Sequence, residues 1–109
     1  MQFTESFSHQ LVLQLPSVIC QSFDHLEELE DALISIFSEA PHLVDGHDIG
    51  SGQLNFFIHT NEPEVAFTTA IKVFSSKERA ALKAAFRRFD SDNYTTIWPL
   101  DSSEPFYVL

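Results

Sequence analysis

Basic residues are missing from most of this sequence, since all six lysines and arginines lie within residues 72–88. Residues 1–71 contain eleven acidic residues and residues 89–109 contain four, and the formal net charge is −10. Nucleic-acid affinity depends largely on cations that neutralise phosphates, so this composition argues against a nucleic-acid partner. A chain this acidic instead suits a basic protein partner, because complementary charge accelerates their encounter.

Cysteine and long apolar runs are scarce as well. The single Cys20 excludes an intramolecular disulfide and fits a reducing compartment. No stretch approaches the roughly 18 apolar residues of a membrane span, and the N-terminal sequence has neither the positive region nor the apolar run of a signal peptide. We therefore expect a soluble, cytoplasmic protein, and the 109 residues predict a single domain over 1–109.

The first part of the sequence predicts a strand, a helix and a hairpin. Apolar residues alternate with mostly polar ones over residues 7–15, which is typical of a half-buried strand. Apolar residues at helical spacing predict a helix over 23–38, with Asp24 or Ser22 as its N-cap. Residues 42–60 then predict a hairpin whose turn is rich in glycine.

The sequence after the hairpin predicts a second helix over residues 63–74, with proline in its first turn. Ser75 followed three residues later by Glu78 is a capping signal. Residues 76–89 therefore predict a third helix or a kinked continuation of the second. The pattern leaves open whether residues 64–88 form one helix or two.

The end of the sequence predicts a fourth strand over residues 94–98 and a short additional strand over 106–109. The resulting order predicts an α+β fold in which a four-stranded antiparallel sheet carries two to three helices on one face. This order resembles the ferredoxin-like split βαβ (βαββαβ) sandwich over nearly the whole chain. That superfold hosts many unrelated functions, so the resemblance implies an architecture rather than an activity.

Two runs of sequence carry a narrower resemblance. Residues 45–55 (DGHDIGSGQLN) and 94–99 (YTTIWP) resemble small uncharacterised bacterial proteins of the ferredoxin-like shape. Some of those proteins are similar to immunity proteins that neutralise toxins. The resemblance implies binding to a protein partner, and it carries over no catalytic residue.

A sheet with helices on one face leaves its other face without them. The most continuous apolar stripes are predicted to face the helices, and they comprise Leu11, Leu13, Leu15, Leu54, Phe56 and Ile58. Phe57 and His59 then lie on the other face, and Tyr94 and Trp98 join them if the intervening isoleucine points inward. Mixed aromatic and polar patches are commonly interaction surfaces, so we predict that these four residues form one. Alternatively, the C-terminal tail or residues 42–48 fold over this face.

The basic segment predicts a second candidate surface. Arg79, Lys83 and Arg87 recur at four-residue spacing, which predicts a basic stripe on an amphipathic helix. Such a helix can bind an anionic membrane or an acidic partner. The alternative is a solvated helix whose cations neutralise the acids of the same chain.

Candidate catalytic and metal-binding residues match no specific signature. Four potential ligands lie within seven residues, namely His42, Asp45, His47 and Asp48. Imidazole and carboxylate suit zinc, but the spacing is also that of a polar hairpin, and we predict neither a metal nor another cofactor. Cys20 near His25 could be a nucleophile, although a buried structural thiol is the commoner arrangement.

The sequence thus predicts a non-enzymatic protein-interaction module, either of immunity type or self-associating through the open sheet face. The first alternative is a regulatory domain that binds a small molecule between that face and residues 42–52. The second is a metal-dependent enzyme that uses the His/Asp segment 42–48.

Overall fold

The computed structural model describes residues 7–19, 22–38, 41–100 and 105–108. The strands are β1 (His9–Pro16), β2 (His42–Gly50), β3 (Gln53–Thr60), β4 (Lys83–Arg88) and β5 (Thr95–Trp98). The helices are α1 (Phe23–Ile36), α2 (Pro63–Ala70) and α3 (Ser76–Ala81), and a short 3-10 turn spans Ile71–Val73. No described helix combines the length and the apolar character needed to cross a membrane.

The five strands form one antiparallel sheet in the order β2-β3-β1-β4-β5. The predicted α+β class is therefore confirmed, but the sheet has five strands in its described part where four were predicted. β1 lies at the centre and pairs along its length with β3 and β4. Of the further strand predicted over 106–109, the described residues 106–108 belong to no strand.

The helices cover one face of this sheet, and the main core lies between the two layers. Strand alternation places Leu13 of β1 beside Phe56 of β3 on the helix side, where both are completely buried. Leu26, Leu29 and Leu33 of α1 supply the matching helical stripe. The prediction that the leucines of β1 and the apolar residues of β3 face the helices is confirmed.

Local signals explain most element ends. Ser22, rather than Asp24, is the N-cap of α1, since its hydroxyl accepts the His25 N–H at 3.1 Å. The predicted capping signal of α3 is a complete capping box between Ser75 and Glu78. β2 and β3 are joined by the two residues 51–52, both with positive φ, as a tight hairpin requires.

The predicted helix over 76–89 is wrong beyond its first six residues. α3 ends at Ala81, Leu82 is extended, and Lys83–Arg88 pairs with β1 as a strand. The reason is tertiary: β1 is buried over Leu11–Leu15 and needs hydrogen-bonded neighbours at both edges. β4 supplies hydrogen-bond partners for the edge of β1 that does not pair with β3.

Candidate interaction surface

The helix-free face of the sheet is the candidate site. Cross-strand pairing in the described sheet places ten side chains of the three inner strands on this face, namely Gln10, Val12, Gln14, Gln53, Asn55, Phe57, His59, Lys83, Ala85 and Arg87. Amide groups fill one end of the face and aromatic rings the other. Its chemistry is therefore mostly polar and aromatic, with Val12 and Ala85 as a small apolar centre.

A four-residue tail segment, residues 105–108, covers part of the helix-free face. Phe106 is 9% exposed and packs with Val12 and Ala85 in a small second core. The Tyr94 ring lies 5.1 Å from the Phe106 ring, centroid to centroid. The structure thus shows the alternative in which the C-terminal tail folds over the sheet, and Tyr94 is half-buried beneath it.

The described part of the chain leaves a neighbouring part of the face without a covering segment, and we call it the aromatic patch: Leu43, Phe57, His59 and Phe89. The His59 and Phe89 rings meet edge to face at 4.9 Å between centroids. Leu43 pairs with His59 across β2 and β3, and its side chain is exposed. Phe89 is exposed too, although Arg87 lies over its ring at 5.6 Å.

A β-bulge in β2 shapes the border of this patch. The register shifts between Val44 and Gly46, and the extra residue, Asp45, has its carboxylate 3.3 Å from His59 Nε2. Gly46 has φ +127°, lies opposite Phe57, and has open space where a Cβ would stand. The absence of a side chain at Gly46 therefore leaves open space at the bulge, at the border of the patch.

Trp98 does not belong to this surface, contrary to the prediction. Its ring lies 5.9 Å from Phe67 of α2, and its indole N–H donates to the Arg79 carbonyl at 3.0 Å. A register shift in the β4–β5 pairing lets both Ile97 and Trp98 pack against the main core. Strict alternation, on which the prediction relied, fails at such an irregularity.

The predicted basic helix is also wrong, because its three cations lie on two elements. Arg79 is on α3 and donates to the Ile71 carbonyl at 3.1 Å. Lys83 and Arg87 are on β4 and point to the helix-free face. Arg87 donates to Gln10 Oε1 at 3.2 Å and to the Ser91 carbonyl at 3.2 Å, so it holds the turn after β4.

The four candidate metal ligands are dispersed. His42 points toward the helices and bonds Thr60 at 2.7 Å, and His47 bonds Glu30 of α1 at 2.9 Å. Asp45 contacts His59, and the Asp48 residue is exposed on the strand. Within the described residues, no three metal-ligating side chains come together.

The nucleophile candidate Cys20 lies outside the described residues. Its suggested partner His25 contacts the buried Glu78 carboxylate at 2.7 Å. Sequence reasoning missed Leu43 and Phe89 as residues of the helix-free face, whereas it included the C-terminal tail, with Phe106, as a possible cover. The cross-strand register of the hairpin could have found Leu43, whereas Phe89 was assigned to a helix.

Comparison with models of known protein families, with curated proteins and with solved structures finds no match to this chain. The helix-free face must therefore be interpreted from its own chemistry.

Proposed function

We propose that this chain is a non-enzymatic protein-interaction module that binds a protein partner through the aromatic patch. One observation carries the proposal: Leu43 and Phe89 are 49% and 40% exposed beside two further aromatic rings on a helix-free sheet face. Apolar and aromatic side chains grouped on an exposed surface are typical of interaction sites. An immunity-type function, which the sequence resemblance implies, would be one instance of such binding.

Charge favours a basic partner. The chain has a net charge of −10, and the exposed side chain of Asp45 lies at the border of the patch. A partner with lysines or arginines around an apolar centre would be attracted before contact and would pair with these acids after it. The same reasoning argues against nucleic acid, although β4 places Lys83 and Arg87 on the helix-free face.

Self-association is the second way in which the patch could be used. Pairing of two β2 edges is disfavoured, because the bulge and the exposed acids at 45 and 48 interrupt that edge. A homodimer would therefore use the face of the sheet rather than its edge.

We also infer that the architecture is a ferredoxin-like split βαβ sandwich extended by β5. The order β2-β3-β1-β4, with β1 antiparallel to both neighbours, supports this assignment. The α1 connection between β1 and β2 spans one intervening strand, as the split arrangement requires.

A small-molecule site is the alternative function, and one cleft favours it, although this cleft does not include residues 42–52, where the sequence predicted the site. The cleft has a volume of about 560 Å³ and lies between the loop after β4 and the tail segment. Its lining includes Asp92, Asn93 and Tyr94. A metabolite bound there would raise the melting temperature of the protein.

A matched pair of substitutions tests the proposed surface. The partner is first captured from native lysate with tagged protein, identified, and purified. Its Kd is then measured by calorimetry for wild type, Leu43→Asp and Val65→Asp. The two side chains are 49% and 52% exposed, but Val65 lies on α2, away from the patch.

We expect Leu43→Asp to weaken binding at least about tenfold, because it buries a charge in the contact. Val65→Asp should leave the Kd unchanged. If both substitutions weaken binding equally, or if neither changes the Kd, the assignment of the surface is contradicted. Sedimentation of the wild type and of Leu43→Asp over a range of concentrations tests self-association by the same comparison.

A further inference from the structure

The part of the helix-free face beneath the tail segment has the features of a peptide-binding groove. We call it the tail groove: Val12, Gln14, Ala85 and Tyr94. Val12 and Ala85 are directly opposite each other on β1 and β4 and are completely buried. The small side chain of Ala85 leaves a depression in the sheet surface, and the Phe106 ring packs into it.

Polar groups of the same groove contact the backbone of the occupying segment. Gln14 Nε2 donates to the Tyr107 carbonyl at 2.8 Å. It also lies 3.0 Å from Asn55 Oδ1, which orients the two amides relative to each other. A backbone carbonyl is common to every peptide, so Gln14 recognises an extended chain independently of its side chains.

The groove contains one donor that the tail segment does not satisfy. Asn55 is completely buried, yet its Nδ2 has no hydrogen-bond partner in the described part of the chain. A buried donor without an acceptor is unfavourable. A different extended segment that offers a second acceptor here would gain a hydrogen bond that residues 105–108 do not make.

The tail segment is held by side-chain packing and not by strand pairing. Among the described residues, Phe106 packs with Val12, Ala85 and Tyr94, Val108 is partly buried beside it, and Gln14 donates to the Tyr107 carbonyl. Tyr107 points outward and is 62% exposed. A terminal segment that belongs to no strand opens at a lower free energy than the sheet beneath it.

We propose that the tail groove binds an extended segment of a protein partner, and that residues 105–108 occupy it in the absence of that segment. The occupant defines the chemistry of the ligand: an aromatic anchor, a variable outward residue and an aliphatic residue, as in Phe106-Tyr107-Val108. The groove adjoins the aromatic patch, because Phe57 packs against the small core of Val12, Ala85 and Phe106, but the two surfaces share no residue. This proposal goes beyond the proposed function, and Gln14→Ala and Leu43→Asp test the two surfaces independently.

The test is an NMR titration of the 15N-labelled full chain with a synthetic peptide of the sequence of residues 104–109. The side-chain amide signals of Gln14 and Asn55 are the reporters. Phe106→Ala releases the tail without altering the groove, and Phe106→Leu serves if the alanine variant does not fold. A peptide with serine in place of the phenylalanine is the control.

We expect the variant with the released tail to bind the peptide at least about tenfold more tightly than the wild type, because the competing segment no longer fills the groove. Both amide signals should shift, and the serine peptide should cause no shift. Gln14→Ala in the same variant should weaken binding.

Three results would overturn the proposal. The folded variant could fail to bind the peptide, or it could bind the serine peptide equally well, which would make the tail a structural cap. Alternatively, the wild type could be a dimer that Phe106→Ala converts to a monomer without any peptide binding. That result would assign the groove to the tail of a second copy.

Discussion

The imidazole of His25, in the first turn of α1, lies 2.7 Å from the carboxylate of Glu78 in α3 (Nε2 to Oε2). The other carboxylate oxygen accepts the Ser75 N–H at 2.7 Å, and Ser75 Oγ in turn accepts the Glu78 N–H at 3.1 Å. The Glu78 side chain is 8% exposed, so one buried carboxylate both caps α3 and connects it to α1.

Glu78→Gln should lower the free energy of unfolding by about 1–2 kcal/mol at neutral pH, because it weakens the cap and removes the charge facing His25. Burial raises the pKa of Glu78, but hydrogen bonds from the Ser75 N–H and His25 outweigh it and hold that pKa below its ordinary value of 4.5. The folded state therefore gains stability from this carboxylate above that pH, and loses it as the pH falls through the lowered pKa.

Urea unfolding of wild type and variant at neutral and at acidic pH measures this effect. The stability difference should shrink once the pH is below 4.5, the ordinary pKa. Glu64→Gln, at an exposed position in the first turn of α2, is the control. A difference that stays constant with pH would show that Glu78 acts only through packing.

A second histidine connects two strands from inside the core. His42 Nδ1 lies 2.7 Å from Thr60 Oγ1, which also accepts the Glu62 N–H at 2.9 Å. The Thr60 hydroxyl accepts the Glu62 N–H and still has its own proton to donate, so the pair is compatible with a neutral imidazole that accepts at Nδ1. Burial lowers the pKa of His42, and the nearby Glu62 carboxylate raises it by less.

His42→Gln should make stability less dependent on mildly acidic pH. In the wild type, His42 is protonated at a higher pH in the unfolded chain than in the folded protein, because burial lowers its folded-state pKa. The stability that is present above pH 6.5, the ordinary pKa, is therefore lost as the pH falls toward the lower folded-state pKa. At neutral pH the variant should be about 1–2 kcal/mol less stable, since it disturbs a buried hydrogen bond. Urea titrations from neutral to acidic pH measure both slopes. Parallel slopes for the two proteins would exclude His42 as the cause.

The fold was predictable where local pattern and tertiary environment agree. β1 and β3 each alternate apolar residues with mostly polar ones, and α1 has an apolar stripe. The type of each element and the face that it turns toward the core therefore followed from the sequence. β4 was not predictable in this way. Leu82, Ala85 and Phe86 fit helical spacing, and only the unpaired edge of β1, which is distant in sequence, makes this segment a strand.

The site was predictable only in part for the same reason. Phe57 and His59 follow the alternation of β3 and do lie on the helix-free face. The position of Trp98 depends on a bulge, and the covering of Tyr94 depends on the tail segment. Neither feature has a local sequence signal, because both arise from contacts between segments that are separate along the chain.

Trp98→Ala should destabilise the protein rather than abolish partner binding. The indole packs against Phe67 and donates to the Arg79 carbonyl, so its removal leaves a cavity and an unpaired carbonyl. Because the ring is only partly buried, we expect a loss of about 2–3 kcal/mol, below the range for completely buried aromatics. Chemical denaturation measures this, with Tyr107→Ala at an exposed aromatic position as the control. Unchanged stability together with lost binding would place Trp98 on the interaction surface after all.

Gly46→Ala tests whether the bulge beside the aromatic patch depends on its backbone conformation. A Cβ at this position would meet no atom within 4 Å, so the substitution introduces no clash. Its φ of +127° is nevertheless one that side chains rarely adopt. We therefore expect a loss of about 1–2 kcal/mol in the free energy of unfolding, from backbone strain alone.

Gly50→Ala is the matched control for this substitution. Gly50 lies on the same strand, also has open space around its missing Cβ, and does not have a positive φ. Its replacement should change stability by no more than about 0.5 kcal/mol. Urea unfolding of the two variants against wild type gives the difference directly. If both substitutions lower the free energy of unfolding equally, the bulge accommodates alanine without strain, and its conformation does not depend on glycine at position 46.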